Sequence, residues 1–203
     1  MAKLYFYFAA MNAGKSTTLL QADFNYRERG MATMLWTAAH DARSGPGRIE
    51  SRLGIGAEGN GYRPETDLLT EVLARRDAEP LHCVLVDEAQ FLTPEQVRQL
   101  CRLADEHDLP VLCYGLRTDF LGDLFPGSAA LLALADALVE LKAVCECGRK
   151  ATMNLRVDPD GNAVKRGAQT EFGGNDRYVA LCRRHFFARL DAGGMPRSAT
   201  TGA

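Results

Sequence analysis

Residues 4–26 read LYFYFAAMNAGKSTTLLQADFNY, and three patterns follow one another within them. Leu4 to Phe8 is an apolar run of strand length, expected to be buried. Thr18 to Tyr26 reads as a helix, expected to run to about Arg29 with Gly30 as its stop. Between them lies AAMNAGKST, Ala9 to Thr17, a loop of small residues closing in Gly-Lys-Ser. Strand, loop, Gly-Lys-Ser and helix in that order are the layout of a phosphate-binding loop. Its backbone N–H groups, from Ala9, Ala10, Met11, Asn12, Ala13 and Gly14, are expected to surround phosphates, helped by the positive end of the helix. Lys15 would reach the β- and γ-phosphates and the Ser16 hydroxyl would bind Mg²⁺. Ala9 stands where such loops usually open with Gly, so a local difference is expected wherever φ must be positive.

Working outward, Ala32 to Thr37 reads as a second strand, with the lone Trp36 as core. His40 to Arg43 follows at the carboxyl end of that strand, where parallel sheets bind ligands. Ser44 to Gly61, with six glycines and Pro46, is expected to be a long mobile loop. Pro64 to Asp77 reads as a helix and Leu81 to Val86 as a third, fully buried strand. Thr93-Pro94-Glu95-Gln96 carries an N-cap, a first-turn proline and a capping box, so a helix should run to about Asp108. Val111 to Tyr114, Ser128 to Ala137 and Leu138 to Val144 read as strand, helix and strand. Strands alternating with helices predict an α/β fold with a parallel sheet. At Cys145 the style changes to short β-like runs, a turn at Asp158 to Asn162 and a last helix over about Cys182 to Leu190. The expected division is an ATP-binding domain over 1–144, a metal-binding domain over 145–190 and a disordered tail over 191–203.

Composition narrows the function. Of 203 residues, 46% are hydrophobic and 25% charged, which is globular, and a net charge of −2 argues against direct nucleic-acid binding. No apolar run approaches the ~20 residues of a membrane span, and no secretory leader is evident, so a cytoplasmic protein is expected. Cys83, Cys101 and Cys113 sit in apolar or helical contexts and read as buried free thiols. Cys145-x-Cys147 and Cys182-x-x-His185 instead form a four-ligand set suited to a structural, tetrahedral Zn²⁺. His82 and His107 read as structural or solvated, with no partner pattern. Asp87-Glu88 closes the third strand, opposite the phosphate loop in such folds. Asp87 is expected to hold Mg²⁺ and Glu88 to accept a proton from an attacking hydroxyl or water. Between the two metal-ligand pairs, Val164 to Tyr178 could close over a ligand while pinned at both ends.

These residues together resemble the thymidine kinases of the cytosolic and bacterial type. The resemblance covers nearly all of Met1 to His185. It is carried by YFYFAAMNAGKST, HCVLVDEAQFL, VLCYGLRTDFLGDLFPGS, LVELKAVCECGRK and GGNDRYVALCRRH. It implies a RecA-like phosphate-loop domain with a small zinc-binding β-rich domain and a lasso loop. The implied activity is transfer of the ATP γ-phosphoryl group to the 5′-hydroxyl of thymidine, and of deoxyuridine, in nucleotide salvage. By the same resemblance, Glu88 is the general base, Asp87 the metal-associated acid, and Gln90 a nucleotide contact. Asp41 and Arg43 match a pair near the phosphates. Met11, Leu116 and Phe120, with Phe91 beside them, match the thymine pocket. Gln169, Thr170, Glu171, Phe172 and Gly173 match the lasso, although this run is more polar than the family's. Tyr178 matches the tyrosine on the sugar, and Cys145, Cys147, Cys182 and His185 match the zinc ligands. A homotetramer and feedback by thymidine triphosphate are also implied.

Two other classes compete. Asp-Glu-Ala-Gln after a strand also suits a water-activating ATPase, but a motor needs a second domain to supply an arginine. A zinc module for nucleic acid would need a basic, aromatic-rich face, which this composition lacks.

Overall fold

A computed structural model describes residues 1–39, 47–169 and 177–192. The chain divides into two compact units. The first comprises Met1–Ala9, Ala13–Arg117 and Leu124–Leu141; the second takes Ala10–Asn12, Thr118–Asp123 and the chain from Lys142 onward.

The first unit is built on one sheet. In chain order its elements are β1 (Leu4–Ala9), α1 (Lys15–Glu28), β2 (Thr33–Ala38), β3 (Arg48–Glu50), β4 (Gly56–Glu58), β5 (Asn60–Tyr62), α2 (Leu68–Ala78), β6 (Cys83–Val86), α3 (Pro94–His107), β7 (Val111–Leu116), α4 (Pro126–Leu134) and β8 (Ala137–Glu140). Six strands lie in the order β5-β2-β6-β7-β1-β8, every pair parallel. Both faces are covered, which is why the strands read as apolar runs rather than alternating ones. The period of two still sorts their side chains. Leu4, Phe6, Trp36, Val84 and Val86 pack with Leu68 and Val72 of α2, Val97, Leu100 and Leu103 of α3, and Leu131 of α4. Leu35, Cys83, Leu85, Leu112 and Tyr114 pack with Leu19 and Leu20 of α1. Each such fully buried side chain contributes about 1.5–3 kcal/mol. Trp36 is core, as expected, at 1% exposure.

Several boundaries differ from the sequence reading for identifiable reasons. The glycine-rich stretch is not simply a loop: from Gly47 onward it holds the antiparallel β3–β4 pair, and then β5 joins the edge of the main sheet beside β2. Its glycines permit close approach rather than mobility. A Cβ on Gly59 would stand 3.0 Å from the Leu35 carbonyl oxygen. Residues 44–46 of that stretch lie outside the described residues. Helix α2 starts at Leu68, not Pro64, because the Asp67 side chain accepts the Thr70 N–H as N-cap and Arg63–Thr66 is closed by its own turn. Helix α4 starts earlier, with Pro126 in its first turn, and stops at Leu134, so Ala137 opens β8. The Thr93–Gln96 capping box is present in full, and Gly30 ends α1 at φ 73°.

The second unit is made of short pieces: β9 (Ala143–Val144) against β10 (Lys150–Ala151), and β11 (Met153–Arg156) against β12 (Tyr178–Leu181), both antiparallel. Helix α5 (Arg183–Ala192) packs on β11 and buries Phe186, with Leu155 and Leu181 also inside. Residues 193–203, most of the expected tail, lie outside the described residues.

Candidate active site and metal cluster

In the first unit the phosphate loop leaves β1 at Ala9, which is paired with Leu116 as the last residue of the strand. Ala9 does not have positive φ, so alanine costs nothing there; the left-handed positions are Asn12 at 64° and Gly14 at 78°. Gly14 is also the N-cap of α1 and contributes no capping side chain, and no acid lies in the first turn after it. Lys15 and Ser16 open the helix, whose leading N–H groups suit an anion.

Strand β6 delivers Asp87. Its N–H donates to the Trp36 carbonyl at 2.8 Å, carrying the β2–β6 ladder one residue past the strand. Its carboxylate accepts from the Ser16 hydroxyl at 2.9 Å and from the Glu88 N–H at 3.0 Å. Burial pushes this carboxyl up to about 7, the neighbouring Glu88 charge adding to the rise while Ser16 and Lys15 oppose it. A buried acid of this kind, touching a helix-start serine, suits a divalent cation, whose charge would favour the ionised form.

Glu88 follows in the left-handed region at φ 51°. A non-glycine residue there costs about 1–3 kcal/mol and persists only when its surroundings impose it. Two side chains hold it. The Tyr62 hydroxyl donates to the Glu88 carbonyl at 2.8 Å, and the Gln90 amide donates to the Glu88 carboxylate at 2.5 Å. Gln90 in turn accepts the Leu116 N–H at 3.0 Å, tying the carboxylate to the end of β7. The 3-10 turn Ala89–Phe91 that follows is closely backed by α4. A Cβ on Gly127 would meet the carbonyl oxygens of Ala89, Leu92 and Gln90 at 2.6–2.8 Å. Phe91 stands edge-on to Phe125 at 5.7 Å. Gln90, expected as a nucleotide contact, is 1% exposed and occupied with Glu88 and Leu116. Tyr62 and Gly127 carried no motif and were not legible in the sequence.

In the second unit, Met11 of the phosphate loop donates its N–H to Asn154 of β11 at 2.7 Å, and the Asn154 amide donates to the Thr118 carbonyl at 3.2 Å. Phe120 is buried, with the Arg156 guanidinium 3.6 Å above its ring centre. The Gln169 amide donates to Asp119 at 3.1 Å, and Tyr178 opens β12 opposite Arg156. Asp41, Arg43, Thr170, Glu171, Phe172 and Gly173 lie outside the described residues.

The four expected metal ligands converge. The ligand atoms of Cys145, Cys147, Cys182 and His185 all lie within 4.8 Å of one another. Cys145 Sγ is 3.4 Å from His185 Nδ1, and Cys147 Sγ is 3.9 Å from Cys182 Sγ. A tetrahedral ion with sulfur at about 2.3 Å sets sulfurs about 3.8 Å apart, so this cluster could bind zinc. Glu146 lies beside His185 Nδ1 at 3.4 Å and is itself held by Arg189. Of the remaining cysteines, Cys83 and Cys113 are buried thiols, burial pushing Cys83 up to about 12, while Cys101 is only half-buried. His82 is structural: its Nδ1 accepts the Ala32 N–H at 3.1 Å.

Comparison with known proteins shows what the chain is similar to. The family model described as Thymidine kinase matches residues 2–186. A thymidine kinase of Novosphingobium aromaticivorans is 70% identical over 186 residues, covering 92% of this chain and 97% of that protein. One from a Jannaschia species is 61% identical over 92% of this chain and 95% of its own length. One from Vibrio cholerae is 57% identical over 92% and 97% respectively. With that family model matched along nearly the whole length and relatives at this identity, the chain belongs to the thymidine kinase family.

Proposed function

We propose that the chain transfers the γ-phosphoryl group of ATP to the 5′-hydroxyl of thymidine, and of deoxyuridine, in nucleotide salvage. Family membership supports the reaction class. The observation that carries the residue assignment is Glu88, held in a strained turn with its carboxylate fixed by Gln90, one residue from an acid that touches Ser16.

Phosphoryl transfer asks a protein mainly for positioning and charge stabilisation. The loop amides of Ala9 to Gly14 and the Lys15 ammonium would hold the triphosphate. Ser16 and Asp87 would hold Mg²⁺, which supplies charge neutralisation at the phosphates when bound. Glu88 would orient the sugar 5′-hydroxyl and take its proton. Asp41 and Arg43 are assigned to the phosphates, Arg43 offsetting developing charge. Met11, Phe91, Leu116 and Phe120 are assigned to the thymine, Tyr178 to the sugar, and Gln169 to Gly173 to backbone contacts with the base. Cys145, Cys147, Cys182 and His185 would hold a structural Zn²⁺ that braces the chain entering and leaving that segment. A homotetramer and a cytoplasmic location belong to the same reading. Among the described residues no helix is long and apolar enough to cross a membrane.

The test is a nucleoside panel with ATP and Mg²⁺, reading which hydroxyl becomes phosphorylated by phosphorus NMR. Thymidine 5′-monophosphate is the expected product. ATP hydrolysis at full rate without any nucleoside would instead favour a water-activating ATPase. One methyl group is worth only about 1–3 kcal/mol in a pocket, so deoxyuridine is expected to be the nearest competitor in the panel.

A further inference from the structure

Four buried polar residues of the second unit have no role in the reading above: Thr118, Asp119, Asn154 and Arg156. Arg156 ties together the most. It is 2% exposed on β11, two residues beyond Asn154 and therefore on the same face of the strand. Its guanidinium lies 3.6 Å from the centre of the Phe120 ring, within cation–π range. Its Nη1 donates to the Ala168 carbonyl at 3.1 Å and its Nη2 to the Arg166 carbonyl at 3.4 Å. Gly167, between those two carbonyls, has φ 141°, and a Cβ there would collide with Arg156 Nη2. The chain at 166–168 is thus moulded on the guanidinium, and glycine is required at its middle by both backbone and space. Asp119, beside Phe120, extends the same frame by accepting the Gln169 amide.

We propose that Arg156 is a positioning residue for the nucleoside site: one guanidinium sets the ring of Phe120 and the backbone of Arg166 to Ala168 at a fixed separation. This rests on the kinase reading and deepens it. Phe120 and Gln169 are the residues assigned there to the thymine, and neither is covalently near the other. A planar fork that stacks with one face while donating in its plane can serve both at once; a lysine or an apolar side chain cannot. Asn154 completes the frame by fixing Met11 and Thr118 on the other side of Phe120 in the chain.

The test uses the full chain with its metal as purified. Steady-state constants for thymidine and ATP are measured separately in Arg156→Met, Arg156→Lys and Gly167→Ala, with melting temperature and bound metal alongside. Arg156→Met is expected to raise the thymidine KM about tenfold while the ATP KM stays within about twofold of wild type, as loss of placement without loss of phosphate binding requires. Arg156→Lys should raise it about threefold, and Gly167→Ala should move it the same way, less so when combined with Arg156→Met. If Arg156→Met does not fold, the Lys and Gly167→Ala variants read the same split. A thymidine KM unchanged in the folded variants overturns the proposal. So does a rise in both constants that tracks a falling melting temperature, which would make Arg156 merely structural. A wild-type chain that phosphorylates no nucleoside sinks the kinase reading first, and that result is seen before any variant is made.

Discussion

Asp87 and Cys147 are both candidate metal contacts, and they differ in burial: Asp87 is 4% exposed and Cys147 lies on the surface. The contrast extends to the units that carry them. In the first unit the chemistry is oriented before any ligand arrives, by a six-stranded sheet and by hydrogen bonds from Tyr62, Gln90, Ser16 and Leu116. In the second, two-stranded pairs and one helix surround a small core, and four soft ligands converge from β9–β10 and the start of α5. Two-stranded ribbons are marginal alone, so an ion bound by that cluster would cross-link them and supplement the small core. Preorganisation by burial and preorganisation by coordination are different devices, and they should fail differently.

The largest expected effect is on the second unit. Stripping the ion with a chelator should unfold it, since structural zinc sites are worth on the order of 10 kcal/mol in apparent binding. Hydrogen exchange should show β11 and β12 losing protection while β1, β6 and β7 keep theirs. Equal protection of both units at zero bound metal would break the contrast. Next, Glu88→Gln should lower kcat by about 10²–10⁴-fold with nucleoside binding retained, because it removes a base without disturbing the fold. Near-normal turnover would take Glu88 out of that role.

The third prediction concerns pH in the first unit without Mg²⁺. The folded value of Asp87 is raised above its unfolded one, so the folded chain holds the extra proton between about 4 and about 7. Its contribution to stability is therefore greatest below that window and is lost as pH rises through it. The melting temperature of wild type minus that of Asp87→Asn should fall by several degrees across the window; a flat difference would count against a raised carboxyl. The smallest effect is expected from Gly127→Ala, which presses a methyl against three carbonyl oxygens behind the Glu88 turn. It should cost about 1–3 kcal/mol in urea unfolding, and kcat should fall more than either KM changes.

Much of the first unit was legible because its signals are local. AAMNAGKST, Asp87-Glu88 and the Thr93 capping box each declare themselves within a few neighbouring residues. The Cys-x-Cys and Cys-x-x-His pairs were legible as one cluster that could hold a metal, because few other arrangements suit such residues together. Glycines misled in the 47–61 stretch, where the same residue that permits mobility also permits a neighbouring backbone to come close, and only the second applies to Gly59. For Gln90 the resemblance supplied a nucleotide contact, and nothing local in the sequence says that its amide also donates to the adjacent acid's own carboxylate.

By itself, then, the chain's order of residues determined the fold class, the phosphate loop, the two acids and the four soft ligands, because backbone patterning and ligand chemistry act over short separations. Only the tertiary structure decided that Tyr62 and Gln90 hold Glu88 in place, that Gly127 must be bare, and that Arg156 joins Phe120 to residues 166–168. Those contacts link residues 2 to 38 positions apart, and a hydrogen bond or a stacked ring depends on where chains meet in space, which no periodicity along one chain encodes.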